Sequence, residues 1–437
     1  MPAESATSSL PARPVVAVVV QQHAEEAALL RHVRSVLVRA PHVGLLRLGR
    51  LDERLAAHLD GLTVAGPAGR ALCLAALERP GAGEVFALAV LALEGRDLAL
   101  LERLPALWPA LPEARRGLVS ALGWVPAQAL RGVVSRLLSS PPGPALELGI
   151  EACRLHQVDP GAVLPAALAS TLPTLRAVAA RAAGELGRVD LLPALQQGAD
   201  DEPPDIQFWR AWSACLLGDR EQALARLADI ALGASPYSDR AWPVLMAAST
   251  PVQASEWAQQ MSQVARGPGA SIAAQRRLVR TVALVGELRS MPWLIARMSE
   301  PALARLAGEA FHWVTGADLA LLDLETLNPP AGYTPPDQAD DDGAIIDDDS
   351  LPWPDPARVR AWWTREQAGL DAVAAGGRLF LGRPMNAQTA RQVLADGTQR
   401  QRAHAAWLSS LLQPGRRVFQ VAAPVTRQLR ALAELPG

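Results

Sequence analysis

Lysine is absent: all 42 basic residues of the 437 are arginine. Arginine favours bidentate pairing and stacking, but a bias this uniform reads as the imprint of a GC-rich genome before it reads as function. Cysteine is scarce. Cys73, Cys153 and Cys215 lie far apart among apolar neighbours, which excludes a disulfide framework and a CxxC metal or redox motif. They are expected as small buried side chains in a reducing compartment. Long apolar runs are missing too. The longest early one, Val15 to Val20, is far short of the roughly 18 residues that span a bilayer. It follows a Ser/Pro-rich start with no basic stretch, so neither a membrane span nor a signal peptide is expected. The expected location is the cytoplasm. Net charge is −2, which does not suggest a nucleic-acid binder. No HExxH, GxSxG or Walker A sequence occurs, and GPGAS from Gly267 has no strand before it.

What is present is a repeat. From about Glu84 the chain alternates an Ala/Leu-rich helix, a glycine turn and a shorter helix. In the stretch 175–195, Leu175, Val178, Ala179, Ala182 and Leu186 form one apolar stripe, with Arg176, Arg181 and Glu185 opposite. Gly187 suits a left-handed helix end. Asp219 and Gln222 have capping-box spacing. Taking Gly95, Gly123, His156, Gly187, Gly218, Thr250, Gly286 and Gly316 as markers, the intervals are 28, 33, 31, 31, 32, 36 and 30. Such a period without strand patterning predicts an all-α fold, a HEAT-like α-solenoid of about eight helix pairs. Residues 1–83 then form an N-terminal helical region and 84–327 the repeats.

The composition changes after Leu327. Residues 328–357 are an acidic, proline-rich linker, where proline forbids regular helix and the aspartates repel one another. With Gly343 as the sixth position, Asp340, Asp342 and Asp349 fall where a calcium loop needs oxygens; however, Gln338 stands first and no helices flank it. Residues 358–437 are basic, twelve arginines against four acids. Helices are expected from Ala357 and over Ala387–Leu412, and the extended pieces Arg378–Gly382 and Val418–Pro424 as a ribbon. Val393, Leu394, Ala405, Leu408 and Leu412 should pack, leaving Arg391, Arg400 and Arg402 for acidic contacts with the neighbouring linker or a partner. Nucleic acid is the less economical partner for this tail.

One short stretch concentrates titratable groups: LDERLAAHLDGL, residues 51–62. As a helix it anchors through Leu51, Leu55 and Leu59. Asp52 falls near the helix start and Asp60-Gly61 ends it, which makes the stretch a charged joint and not an active site. His23 and Glu26, three apart, have one spacing that serves metal in a carboxylate bundle, but no further ligands converge in the sequence. No cofactor or metal is expected.

QQHAEEAALLRHVRS, LDERLAAHLDGL, the acidic break and GRLFLGRPMNAQTARQVLADGTQRQRAHAAWLSSLLQPGRRVFQVAAPVTRQ together resemble a family of proteobacterial HEAT-like proteins without assigned activity. Many members are encoded in type VI secretion clusters near spike, effector and thiolase-like genes. The specific segments are Val20–Gly61 and Gly377–Gln428. The resemblance implies a process, not a reaction, and brings no catalytic residues. Asp52, Glu53, Arg54, His58, Asp60 and Gly61, with Gly397, Gln399, Arg400, Gln401 and Arg402, are its contact or architectural candidates. The expected function is a non-enzymatic adaptor or chaperone for a type VI effector, spike or thiolase-like protein. Solenoids present long concave surfaces, and the pairs Trp209/Trp212 and Trp362/Trp363 are candidate anchors. An immunity protein neutralising a toxin is the alternative; an enzyme would require a site that the sequence does not display.

Overall fold

The computed structural model describes residues 15–107, 111–198, 201–267, 269–333, 348–375 and 377–435. Among them are 22 α-helices and four strands of two residues each, so the fold is all-α as the periodicity predicts. No helix among the described residues is long and apolar enough to cross a membrane. The chain forms two compact units, residues 1–34 with 50–131 and residues 35–49 with 132–437. The last boundary, at 131/132, falls inside the stretch taken from sequence as one run of repeats.

The first unit holds most of α1 (Ala17–Leu37) and α2 (Leu45–Val64), then α3 (Pro67–Ala75), α4 (Ala82–Glu94), α5 (Leu98–Arg103) and α6 (Pro112–Trp124). α4 is its centre. From Val85 to Leu93 every residue but Leu91 is buried, and a helix apolar on all sides must be enclosed. α6 packs along it, with Phe86 edge-on to Trp124 at 6.1 Å. Asp97 caps α5, accepting from the Leu100 amide at 3.0 Å. The repeat marker is displaced here by one residue: Gly95 has φ −77, and Arg96 takes the left-handed position at φ 54.

The second unit begins with α7 (Val133–Leu138), α8 (Pro144–Leu155), α9 (Val163–Leu168), α10 (Pro173–Glu185), α11 (Leu192–Gln196) and α12 (Pro204–Leu216). It continues with α13 (Gln222–Leu232), α14 (Ser238–Ala248), α15 (Pro251–Arg266), α16 (Ile272–Val285), α17 (Met291–Arg297) and α18 (Ala304–Thr315). The even-numbered helices form a row, each packed on the next, and the odd-numbered ones accompany them. α10 shows why its sequence suits that row. The predicted stripe is buried, none of its five residues more than 5 % exposed. Ala177, Ala180 and Ala183 on the other faces are buried as well, because α8 and α12 flank the helix and α9 covers it. Glu185, read as outward, is buried too. It accepts from Arg154 at 2.6 Å, Arg181 at 2.7 Å and Gln420 at 2.8 Å. The Asp219–Gln222 capping box does not form. α13 starts at Gln222, and the Asp219 carboxylate accepts from the Glu221 amide at 3.0 Å and from Gln196 Nε2 at 2.8 Å.

The C-terminal region adds α19 (Pro356–Ala374), α20 (Ala387–Asp396), α21 (Gln399–Leu412) and α22 (Val425–Ala433). Three sequence expectations are corrected here. The single helix over 387–412 is two, because Gly397 is extended (ψ 168) and Thr398 with Gln401 forms a capping box that starts a new helix. Leu379–Phe380 pairs antiparallel with Arg383–Pro384 and not with Val418–Pro424. Val393, Leu394, Ala405 and Leu408 are buried as expected, but Leu412 is 46 % exposed. Glu325–Thr326, just before the acidic break, pairs antiparallel with Trp353–Pro354 near its end. The calcium-loop positions Gln338, Asp340, Asp342 and Gly343 lie outside the described residues. Asp349 pairs with Arg305 at 3.0 Å, and Asp348 with Arg276.

The C-terminal region is laid along the helix ends of the row. Leu379 donates to Gly286 O at 2.8 Å, Leu381 to Trp313 O at 2.7 Å and Gly382 to Val314 O at 2.9 Å. Glycine is needed there. Gly286 has φ 71, and a Cβ on it would stand 2.4 Å from Leu379 O. Further on, Arg417 donates to Gln157 O at 2.6 Å and Val418 to Glu185 O at 2.9 Å. Helix ends of the row, two of them the left-handed residues Gln157 and Gly286, are therefore also the docking points of the tail.

Candidate functional site

The charged stretch on α2 resolves first. Leu51, Leu55 and Leu59 are buried, as the spacing predicts. The helix begins at Leu45 and does not end at Asp60-Gly61 but runs to Val64, so Asp52 lies inside it and not near its start. Asp52 is clamped by Arg34 of α1 at 2.7 and 3.3 Å. Glu53, Arg54 and Asp60 are exposed. His58 meets His23 of α1, Nδ1 to Nδ1, at 3.1 Å. Gly61 gives the His23 ring its room, since a Cβ there would lie 2.6 Å from the imidazole. Burial, the His23 ring and Arg54 lower the His58 pKa against the pull of Glu26. Among the described residues no group of three or more His, Cys, Asp and Glu is placed to hold a metal ion. The stretch thus lies within α2 and meets α1 through Asp52–Arg34 and His58–His23, where a helix end between two helices was expected.

The other sequence candidates are largely structural. Trp212 is buried edge-on to Trp209 at 5.4 Å, and Trp209 carries the Arg181 guanidinium on its face at 4.5 Å. Trp362 and Trp363 pack against Phe311 at 5.6 and 6.3 Å. Trp212 and Trp363 are buried in the core, and Trp209 and Trp362 pack half-buried against it. Arg402, expected to be available, is fully buried and donates to Leu394 O at 2.7 Å and Gln399 Oε1 at 2.8 Å. Arg400 grips both Glu309 oxygens at 2.9 and 2.7 Å. Arg391 is half-buried on α20. Arg378, which the sequence did not single out, donates to four carbonyls: Leu284 at 2.7 Å, Met246 at 2.8 Å, Ser249 at 2.9 Å and Val285 at 2.9 Å. Helix C-termini leave such oxygens unpartnered and carry partial negative charge. The basic tail is thus matched in part to helix ends of its own chain.

The second unit also contains a cavity of about 680 Å³, within the size range of a ligand pocket. Six stretches meet around it: 36–42, the start of α14, α16, α18, residues 349–350 and α21. Trp242, Trp313 and Trp407 give it aromatic walls, and Arg39, Arg240, Arg277, Arg280 and Arg400 line it with positive charge. Asp239 is held by Arg277 at 2.8 Å and Glu309 by Arg400. Burial raises the Glu309 pKa although Arg400 and Arg280 oppose that. His404 is wedged edge-on between Trp313 at 5.3 Å and Phe380 at 5.1 Å. Burial and the Arg378 charge push its pKa down to about 3, and both ring nitrogens lack a hydrogen-bond partner. At the cavity edge Ser350 Oγ and His42 Nδ1 are 2.5 Å apart. Burial, Arg47 and Arg400 lower the His42 pKa. Among the described residues no carboxylate is hydrogen-bonded to that ring.

Sequence reasoning missed this cavity because its residues come from six separate stretches. The one local signal was QRRLVR on α16, which places Arg277 and Arg280 three apart on one helix face. No family model matches the chain, and neither a curated protein nor a solved structure is significantly similar to it.

Proposed function

We propose that this chain is a non-enzymatic adaptor or chaperone of the cytoplasm, a HEAT-like solenoid of about eight helix pairs that holds a protein of type VI secretion. The observation that carries the binding reading is the arginine-rimmed, tryptophan-walled cavity formed where the row of repeats meets the C-terminal region. A cleft of that kind suits recognition, since it joins apolar area to charge that fixes orientation. The solenoid reading is supported by the unbroken row α8 to α18, each even-numbered helix packed on the next with an odd-numbered companion beside it. The secretion reading is supported by the resemblance of Val20–Gly61 and Gly377–Gln428 to proteins encoded beside spike, effector and thiolase-like genes. Deletion of the gene tests it: secretion of one effector should fall while growth is unaffected. Death of the deletion strain in the presence of a cognate toxin would make the chain an immunity protein instead.

A second reading rests on Ser350 and His42. A serine hydroxyl in contact with a neutral imidazole is a nucleophile–base pair, although no orienting carboxylate completes it. Labelling of Ser350 by a fluorophosphonate, abolished in His42→Gln, would favour a hydrolase; an unlabelled chain leaves the pair a structural hydrogen bond.

A further inference from the structure

We propose that the cavity of the second unit takes an acidic peptide segment of a protein partner, one large apolar side chain seated among the tryptophans and carboxylates against the rim arginines. This rests on the protein-binding reading above and specifies what the surface recognises. The first support is charge. Five arginines face three carboxylates, Asp239, Glu309 and Asp349, and the lowered pKa values of His42 and His404 keep both uncharged at neutral pH. An excess of guanidinium in a cleft with apolar walls focuses positive potential, and its planar fork matches a carboxylate.

The second support is the apolar lining. Trp242, Trp313 and Trp407 are joined by Leu306, Ala310 and Pro243, a surface that gains from covering an aromatic or aliphatic side chain. The third is preorganisation. Arg277 and Arg400 are already fixed by Asp239 and Glu309, so they present their charge without ordering cost on binding. Nucleic acid fits less well. It needs a track of phosphate contacts along an extended groove, whereas these arginines surround one local cleft on a chain of net charge −2.

The full chain is titrated, by fluorescence anisotropy, with a labelled hexapeptide of sequence Asp-Glu-Leu-Phe-Asp-Glu. Two control peptides carry arginine in place of the acids or glycine in place of Leu-Phe. Saturable binding of the first peptide alone is expected. Arg240→Glu and Arg280→Glu should each weaken it about tenfold or more, and Arg365→Glu on α19 should leave it unchanged. Circular dichroism checks folding, and Arg240→Gln serves if the glutamate variant unfolds. Failure to saturate, equal binding of the arginine peptide, or wild-type affinity in both rim variants overturns the proposal. So does tighter binding of a single-stranded oligonucleotide that the same variants abolish. A secretion partner that binds regardless of Arg240→Glu overturns the cavity proposal and leaves the adaptor reading standing. Peptide binding without any such partner supports the cavity and removes the secretion reading.

Discussion

Replacing Arg378 with alanine isolates the link between the C-terminal region and the preceding row of helices. Its guanidinium donates to Met246 O, Leu284 O, Val285 O and Ser249 O at 2.7 to 2.9 Å, tying together the ends of α14 and α16. Burial lowers its pKa to about 10, so it remains charged at pH 7. A hydrogen bond from a charged group contributes about 1.5–3 kcal/mol net, and leaving a buried partner unsatisfied costs about 1–3 kcal/mol. If water re-solvates half of the four carbonyls, the loss is about 3 kcal/mol, or roughly two orders of magnitude in an opening equilibrium. A global unfolding free energy is the wrong readout for a chain with two compact units. The proper one is amide hydrogen exchange at Leu379, Leu381 and Gly382, whose amides bond Gly286, Trp313 and Val314. Their protection should fall about a hundredfold in Arg378→Ala and less in Arg378→Lys, with amides of α4 unchanged. Unaltered protection of these three amides would refute the idea that Arg378 fastens the tail.

Gly61→Ala should destabilise the first unit by about 1–3 kcal/mol, since the new Cβ meets the His23 ring at 2.6 Å. The loss should shrink in the double variant with His23→Ala, measured by a double-mutant cycle. His404 supplies a pH dependence. Its folded pKa, about 3, lies below the ordinary value of 6.5. The unfolded chain therefore binds the proton first, and stability falls as the pH drops from about 6.5 towards 3. His404→Phe should remove that share of the acid slope, read by urea midpoints of the second unit across the range. An unchanged slope would mean that His404 is not the buried neutral group described.

Helix content was legible because apolar spacing and prolines at first turns report local structure directly: Pro112, Pro144, Pro173, Pro204 and Pro251 all open helices. The glycine turns were legible for the same reason, and Gly187, Gly286 and Gly316 are left-handed. What stayed hidden was long-range. Nothing local in Arg378 distinguishes a surface charge from a donor to helix ends about a hundred residues earlier. The basic tail read as a surface because charge is usually solvated, yet Arg402 is fully buried. The split at Gly397 was obscured by apolar periodicity on both sides, although Thr398 and Gln401 carried the signal of a new start. The helix ends inferred for the α2 stretch were misplaced, because its contacts are long-range: Asp52 meets Arg34 and His58 meets His23, 35 residues away.

The most direct test of the adaptor reading is purification of the tagged full chain together with the proteins encoded beside its gene. A stable complex with an effector, spike or thiolase-like protein that withstands washing at physiological salt, and that Arg240→Glu dissociates, is the predicted result. Absence of any such complex, with the chain folded and its neighbours expressed, would contradict it.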